Sequence, residues 1–313
     1  MGRRKSGRDI SGVIVLDKPL ELTSNAALQK VRRFFNARKG GHTGALDPLA
    51  TGVLPLCFGE ATKLSHFALE ADKTYQVTAQ LGVRTTTSDA EGEVVATADV
   101  ALTPAKIDAA IAAFTGAQEQ SPSMYSALKY EGRPLYYYAR QGIEVPRKSR
   151  TITIHSIVLL GFTETTLTLE VTCSKGTYIR TLIDDMGQYL GCGAHVAALR
   201  RTWIEGVEGD MVTLDELATL AEQCDPEQDD YAALDALLLP CDAVIRQIPE
   251  VEIAAADAAR FSAGNPARVV VGDARPETEV VRVRAAGESI LLGLGYWRDD
   301  KIMPKRVLCV ANR

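Results

Sequence analysis

From Lys73 to Leu81 the chain alternates without interruption, with Tyr75, Val77, Ala79 and Leu81 on one side and Thr74, Gln76, Thr78 and Gln80 on the other. A period of two predicts a half-buried strand, and on pattern alone Tyr75 reads as a core aromatic. Thr151–Leu160 and Thr165–Cys173 alternate in the same way and join near Gly161, which predicts an antiparallel pair. Unbroken apolar runs at Gly12–Leu16 (GVIVL) and Gly52–Gly59 (GVLPLCFG) predict buried strands, and Ala194–Arg201 (AHVAALRR) predicts another. Elsewhere the period becomes helical. Thr23 or Ser24 caps a helix to about Asn36, with Leu28, Val31 and Phe35 on one face. Ala61–Leu69 predicts a short helix, and Thr103-Pro104 with Gly116 brackets a longer one. A further helix starts near Thr177, and Thr213-Leu214-Asp215-Glu216 opens an acidic amphipathic one. Past Pro249 the composition shifts. Short β-like runs (Arg268–Val271, Val280–Val283, Ile290–Gly295, Arg306–Val310) follow with no long helix, which predicts a small β domain. Many strands with few strand–helix–strand repeats predict the α+β class.

A chain of 313 residues suggests two domains. Its net charge of −5 argues at first against a polyanionic partner, but the distribution reverses that reading. Residues 1–40 hold ten Lys/Arg against Asp9, Asp17 and Glu21, and residues 121–150 hold six against Glu131 and Glu144. Residues 205–250 hold thirteen acids against Arg246 alone. Such asymmetry suits a protein that grips a polyanion on one face, ordinary surface charge being the alternative. Residues 1–9 read as a basic solubilising tail or a phosphate-touching arm. The six cysteines and four histidines are scattered, which argues against a disulfide framework and a zinc site. No apolar run is long enough to span a bilayer, and the N-terminus lacks the apolar stretch of a signal peptide. The expected location is the cytoplasm.

Gly40–Gly52 reads GGHTGALDPLATG, with one carboxylate, Asp47, between glycines that favour tight turns. Pro48 restricts Asp47 to extended conformations. An Asp-Pro turn and a presented catalytic acid both fit. Residues 121–150 (SPSMYSALKYEGRPLYYYARQGIEVPRKSR) interleave tyrosines with cations and are broken by glycine and proline, with one short helix possible at Pro134–Gln141. That composition suits base stacking and phosphate contact, or a loop with its own tyrosine cluster. Arg180, four residues before Asp184, suits a surface ion pair along a helix. His66 and His195 read as structural.

The stretch GGHTGALDPLATGVLPLCFGEATK (Gly40–Lys63) closely resembles the nucleophile-bearing motif of the TruB-type tRNA pseudouridine synthases. KTYQV resembles the family segment with the active-site tyrosine, Tyr75. CSKGTYIRTLIDDMG resembles the segment with the arginine that pairs with the catalytic aspartate, Arg180, and with a uridine-pocket residue, Tyr178. The resemblance implies Asp47 as nucleophile, Tyr75 stacked on the base, His42 in contact with RNA, and Leu199 as a further pocket contact. It places Lys18 among the substrate-binding residues, supporting the catalytic loop.

It also implies the pseudouridine synthase fold, with a large mixed, mainly antiparallel sheet in residues 1–250. An RNA-clasping insertion would lie at about 121–150, and a small PUA-like RNA-binding domain at 251–313, on a looser match that includes FSAGNP. The implied reaction is isomerisation of uridine 55 in the tRNA T loop, by a monomer without guide RNA or protein partner. Substrate and product have the same atoms, so neither cofactor nor metal is expected. Competing functions are a non-enzymatic RNA-binding or RNA-folding protein and an aspartate-nucleophile phosphohydrolase. The latter needs further carboxylates for Mg²⁺, and none stands near Asp47 in sequence.

Overall fold

The computed structural model describes residues 7–126, 128–270 and 279–309. In chain order the first elements are β1 (Gly12–Lys18), α1 (Ser24–Phe34), β2 (Gly40–His42), β3 (Ala50–Phe58), a 3₁₀ turn (Gly59–Lys63) and α2 (Ser65–Leu69). Then come β4 (Lys73–Leu81), β5 (Val83–Thr85), β6 (Val94–Thr97), α3 (Pro104–Phe114), β7 (Gly116–Gln120), β8 (Lys129–Tyr130), β9 (Arg133–Pro134) and α4 (Leu135–Ala139). β10 (Arg150–Phe162), β11 (Thr166–Cys173), α5 (Ile179–Leu190), β12 (Ala194–Ile204), α6 (Leu214–Ala221) and α7 (Ala232–Asp235) follow. The last are β13 (Glu250–Ile253), α8 (Ala255–Ser262), β14 (Ala267–Arg268), β15 (Val281–Ala285), β16 (Leu291–Arg298) and β17 (Lys301–Val307).

The main sheet runs β1-β3-β12-β4-β11-β10-β7, with β2 on β3. β12 pairs with β3 in parallel, whereas β12–β4, β4–β11, β11–β10, β10–β7 and β2–β3 are antiparallel. The sheet is therefore mixed and mainly antiparallel, as the resemblance implied. The chain divides into two compact units. One takes the described residues of Met1–Asp47, Val53–Leu69 and Glu205–Arg313; the other takes Pro48–Gly52 and Glu70–Ile204.

In the first unit, Thr23 caps α1 by accepting from the Ala26 N–H at 3.1 Å. The predicted apolar stripe is buried there, and the Phe35 and Phe58 rings stack with centroids 5.5 Å apart. Helix α6 opens where Thr213–Glu216 predicted a start, with a capping box between Thr213 and Glu216. The five-stranded C-terminal sheet runs β13-β15-β16-β17-β14 around Val251, Ile253, Phe261, Val281, Val283 and Ile302. Each such side chain, fully buried, contributes about 1.5–3 kcal/mol. A short helix, α8, and strand β13 lie here that the β-like pattern did not indicate. β17 begins at Lys301, earlier than expected, because Lys301, Pro304 and Lys305 disguise it. Pro304 sits beside a register shift, a position in a ladder that tolerates the missing N–H. Val271 and Val310, within two of the predicted runs, lie outside the described residues.

In the second unit, Val77, Ala79 and Leu81 of β4 are buried as the alternation required, and Tyr75 is half-buried. The β10–β11 pair forms, but the turn is not at Gly161. Gly161 lies within β10 at a register shift, and the chain reverses at Thr163–Thr165, where Thr163 Oγ1 accepts the Thr166 N–H. A glycine in an alternating run marks an irregularity as readily as a turn. Helix α5 lies on β12 and β4, with Ile179, Leu182, Ile183 and Met186 buried.

Candidate active site

The loop carrying Asp47 is fixed at both ends. Before it, His42 pairs with Leu56 in the β2–β3 ladder, and the Thr43 N–H donates to the Pro55 carbonyl at 3.1 Å. Gly44 turns the chain at φ +88°. Ser24, the first residue of α1, then grips the backbone of Leu46: its Oγ accepts the Leu46 N–H at 2.7 Å and donates to the Leu46 carbonyl at 3.0 Å. Ser24 and Leu46 are buried, and Asp47, the next residue, is half-buried. Beyond the loop, Gly52 stands at φ +97°, where an added Cβ would lie 2.1 Å from the Arg201 carbonyl oxygen. No other residue allows β3 and β12 to approach so closely. Lys18 is fully buried, and its ammonium donates to the Pro19 and Leu22 carbonyls at 2.8 and 2.6 Å, tying the turn between β1 and α1. Thus Lys18, His42 and Asp47 belong to the first unit.

Tyr75, Tyr178, Arg180 and Leu199 belong to the second. Tyr75 lies opposite Arg201 on β12 and Val171 on β11, and Leu199 lies opposite Val77. Leu199 and Arg201 also face Ala50 and Gly52 in the parallel ladder, so neighbouring strands hold these positions in adjacent rows. Arg201 is 1% exposed. Its charge adds to the effect of burial on Lys73, whose ammonium pKa falls to about 8.

Arg180 is buried at the start of α5. Nη1 donates to the Asp89 carboxylate at 3.1 Å and to the Thr87 carbonyl at 3.2 Å, and Nη2 donates to the Tyr125 carbonyl at 2.9 Å. The surface pair with Asp184 does not form. Asp184 instead takes a two-point grip from Arg84 of β5, at 2.7 and 2.9 Å, because Arg180 lies on the buried face of α5. Burial, with the charge of Asp184 beside it, holds the Asp185 carboxyl above its ordinary range.

Pattern reading missed Ser24 and Asp89. Ser24 looks like a helix cap beside Thr23, and Asp89 sits in the polar run TTTSDAEGE, where nothing distinguishes it from a solvated turn. It is 1% exposed and also accepts the Thr87 hydroxyl at 2.5 Å and the Glu91 N–H at 3.1 Å.

The segment 121–150 forms the small β8–β9 hairpin and α4, with Gly142 at φ +69° just past the helix. It has a tyrosine cluster: Tyr138 meets Tyr130 and Tyr137 edge-on at 5.8 and 5.6 Å. Arg133 lies over Tyr137 at 4.5 Å and Arg140 over Tyr136 at 5.6 Å. Tyr136 and Tyr137 remain exposed. Among the described residues, no helix is long and apolar enough to cross a membrane.

The chain matches three consecutive family descriptions: TruB family pseudouridylate synthase (N-terminal domain) over residues 32–179, tRNA pseudouridylate synthase B C-terminal domain over 180–246, and pseudouridine synthase II TruB, C-terminal, over 249–308. It is 54% identical to a protein of Idiomarina loihiensis named tRNA pseudouridine synthase B, over 98% of this chain and 96% of that protein. Proteins of the same name from Yersinia enterocolitica and Aliivibrio salmonicida are 51% and 50% identical, over 98% of this chain and 94% and 97% of theirs. Among solved structures, a chain of an H/ACA RNP bound to a substrate RNA containing 2′-deoxyuridine shares the fold with a TM-score of 0.72 and 24% identity. That match covers 96% of this chain and 85% of the other. A chain of an archaeal box H/ACA sRNP Nop10-Cbf5 complex matches at 0.69, also with 24% identity, over 95% and 85%. With relatives this similar over nearly its whole length, and family matches that run from residue 32 to 308, the chain belongs to the TruB family of pseudouridylate synthases.

Proposed function

We propose that this protein isomerises uridine 55 in the T loop of tRNA to pseudouridine, with Asp47 as the nucleophilic carboxylate. The observation that carries this reading is the Asp47 loop. A single carboxylate follows a residue whose N–H and C=O are both held by one buried serine, within the stretch that matches the N-terminal domain of the TruB family. The reaction breaks the N1–C1′ bond, turns the uracil, forms the C5–C1′ bond and removes the C5 proton. A carboxylate held in place can attack carbon or take a proton. Arg180 is assigned as the ion partner of Asp47; that its guanidinium is held in one orientation by Asp89 and two carbonyls supports the assignment. Tyr75, Tyr178 and Leu199 line the uridine pocket, with His42 and Lys18 supporting the RNA and the loop. The target base must leave the RNA stack at a cost of a few kcal/mol, which pocket stacking offsets. Residues 1–250 form the catalytic domain, 121–150 the clasp and 251–313 the PUA-like domain. The protein acts as a monomer in the cytoplasm without guide RNA, and its grip on the T loop also assists tRNA folding.

The test is base-resolved pseudouridine mapping of tRNA incubated with the purified protein alone, in excess chelator, beside the Asp47→Asn variant. Conversion at one T-loop uridine is expected, lost in Asp47→Asn while tRNA binding persists. Turnover of Asp47→Asn within about tenfold of wild type removes Asp47 from the chemistry. Binding without conversion by the wild type favours the non-enzymatic RNA-binding reading.

A further inference from the structure

Tyr178 precedes α5 as its N-cap residue, yet its side chain makes no cap bond. Its backbone is held from β7. Gln120 accepts the Tyr178 N–H through Oε1 at 2.8 Å and donates from Nε2 to the Tyr178 carbonyl at 3.1 Å. Gln120 is 4% exposed, so its amide is committed to these bonds rather than to water. In the β7–β10 ladder, Gln120 lies opposite Arg150, the first residue of β10. The Arg150 guanidinium carbon sits 4.7 Å from the centroid of the Tyr178 ring. Gly176, at φ +78°, lies against the same guanidinium, and an added Cβ would come 3.0 Å from Arg150 Nη1. Arg150 Nε and Nη2 are buried and find no hydrogen-bond partner among the described residues. An arginine serving only solubility would turn these donors to water. Here the flat cation lies on a ring while two of its donors meet no acceptor among the described residues. The contact therefore uses the plane of the group more than its hydrogen bonds.

We propose that Gln120 and Arg150 are positioning residues for Tyr178: Gln120 fixes its backbone, Arg150 fixes its ring, and together they set the face that Tyr178 turns to the target uridine. The inference rests on the reading above, in which Tyr178 borders the uridine pocket. It differs from a phosphate-binding role for Arg150, in which charge rather than planarity matters.

Single-turnover pseudouridine formation on tRNA, with the full-length protein in excess, tests it. The variants are Gln120→Met, Arg150→Lys and Arg150→Met, each also combined with Tyr178→Leu. Each single variant is expected to slow the reaction by about tenfold or more with tRNA affinity within about threefold, and Arg150→Lys to be as slow as Arg150→Met. In the Tyr178→Leu background the further loss should shrink to less than about twofold, because the partner through which both residues act is gone. Wild-type rates in Arg150→Lys, or an undiminished loss in the Tyr178→Leu background, overturn the proposal. A large loss of affinity in Arg150→Met, with a shallower salt dependence, makes Arg150 a phosphate contact instead. Melting curves accompany the rates; if Gln120→Met does not fold, the two Arg150 variants decide alone. A wild-type protein that forms no pseudouridine sinks the underlying reading. An active wild type with unaffected variants sinks only the positioning role.

Discussion

Ser24 begins a helix, yet its hydroxyl serves a loop 22 residues away. Thr23 takes the capping role, which frees Ser24 for both backbone groups of Leu46. Two bonds to the residue before Asp47 restrict where that carboxylate points. Ser24→Ala should leave a buried N–H and C=O unpaired, at about 1–3 kcal/mol in stability, and should also slow isomerisation as the loop loosens. Urea titration with single-turnover rates checks both; an unchanged rate would detach Ser24 from the positioning of Asp47. Asp89 shows the same principle on the opposite charge, since its buried carboxylate holds the Arg180 guanidinium.

Strand β4 illustrates what burial does to a charge. It lies between β12 and β11 along its length, and Lys73 at its start faces Ile204 and Cys173. Burial, then the nearby Arg201, lowers the Lys73 pKa to about 8, against the pull of Cys173, Asp72 and Glu70. Burial also raises the Cys173 thiol to about 11, although Thr177 and Lys73 work against it. The unfolded chain keeps the Lys73 proton up to about 10.5, whereas the folded chain releases it near 8. Between those values the unfolded state binds more protons, so rising pH favours folding. Stability measured against Lys73→Met should therefore rise from pH 8 to pH 10.5, by on the order of 3 kcal/mol at most. A difference that stays flat, or falls, over that window means that Lys73 is not held in this way.

Across the molecule, the acidic segment 205–250 turns out to be partly spoken for by arginines. Arg8 donates to Asp235 at 2.5 and 3.1 Å and lies over the Tyr231 ring at 4.1 Å, so the described end of the basic N-terminus is docked. Asp242 is fully buried, and one of its oxygens takes Arg246, Arg282 and Arg284 at 2.8, 2.8 and 2.6 Å. Glu250 meets Arg282 and Arg284 at 3.0 and 2.8 Å. Because Arg282 and Arg284 lie on β15, this cluster ties the C-terminal sheet to the segment before it. Asp242→Ala removes the buried acceptor that three guanidinium groups share and should cost about 3–5 kcal/mol, seen as a lower urea midpoint. A loss below about 1 kcal/mol would show that Glu250 and water satisfy them. The cations of 121–150 are spent differently, with Arg133 and Arg140 lying on exposed tyrosines, which leaves a surface of the kind RNA stacks upon.

What the sequence determined by itself was local. Alternation at Lys73–Leu81, caps at Thr23, Thr103 and Thr213, and the motif around Asp47 each depend on near neighbours, so strands, helix starts and family were legible. Where a signal had two local meanings, it misled: Gly161 marked a bulge rather than a turn, and Lys301–Arg306 hid a strand behind charge and proline. Only the tertiary structure decided which charges meet. Arg180 met Asp89 and not Asp184, Arg84 took Asp184, and Ser24 reached Leu46, because each choice depends on which face of an element is buried and what crosses over it. A hydroxyl or carboxylate in a polar run has the same local pattern whether it faces water or clamps a site, and the difference is made by residues far away in the chain.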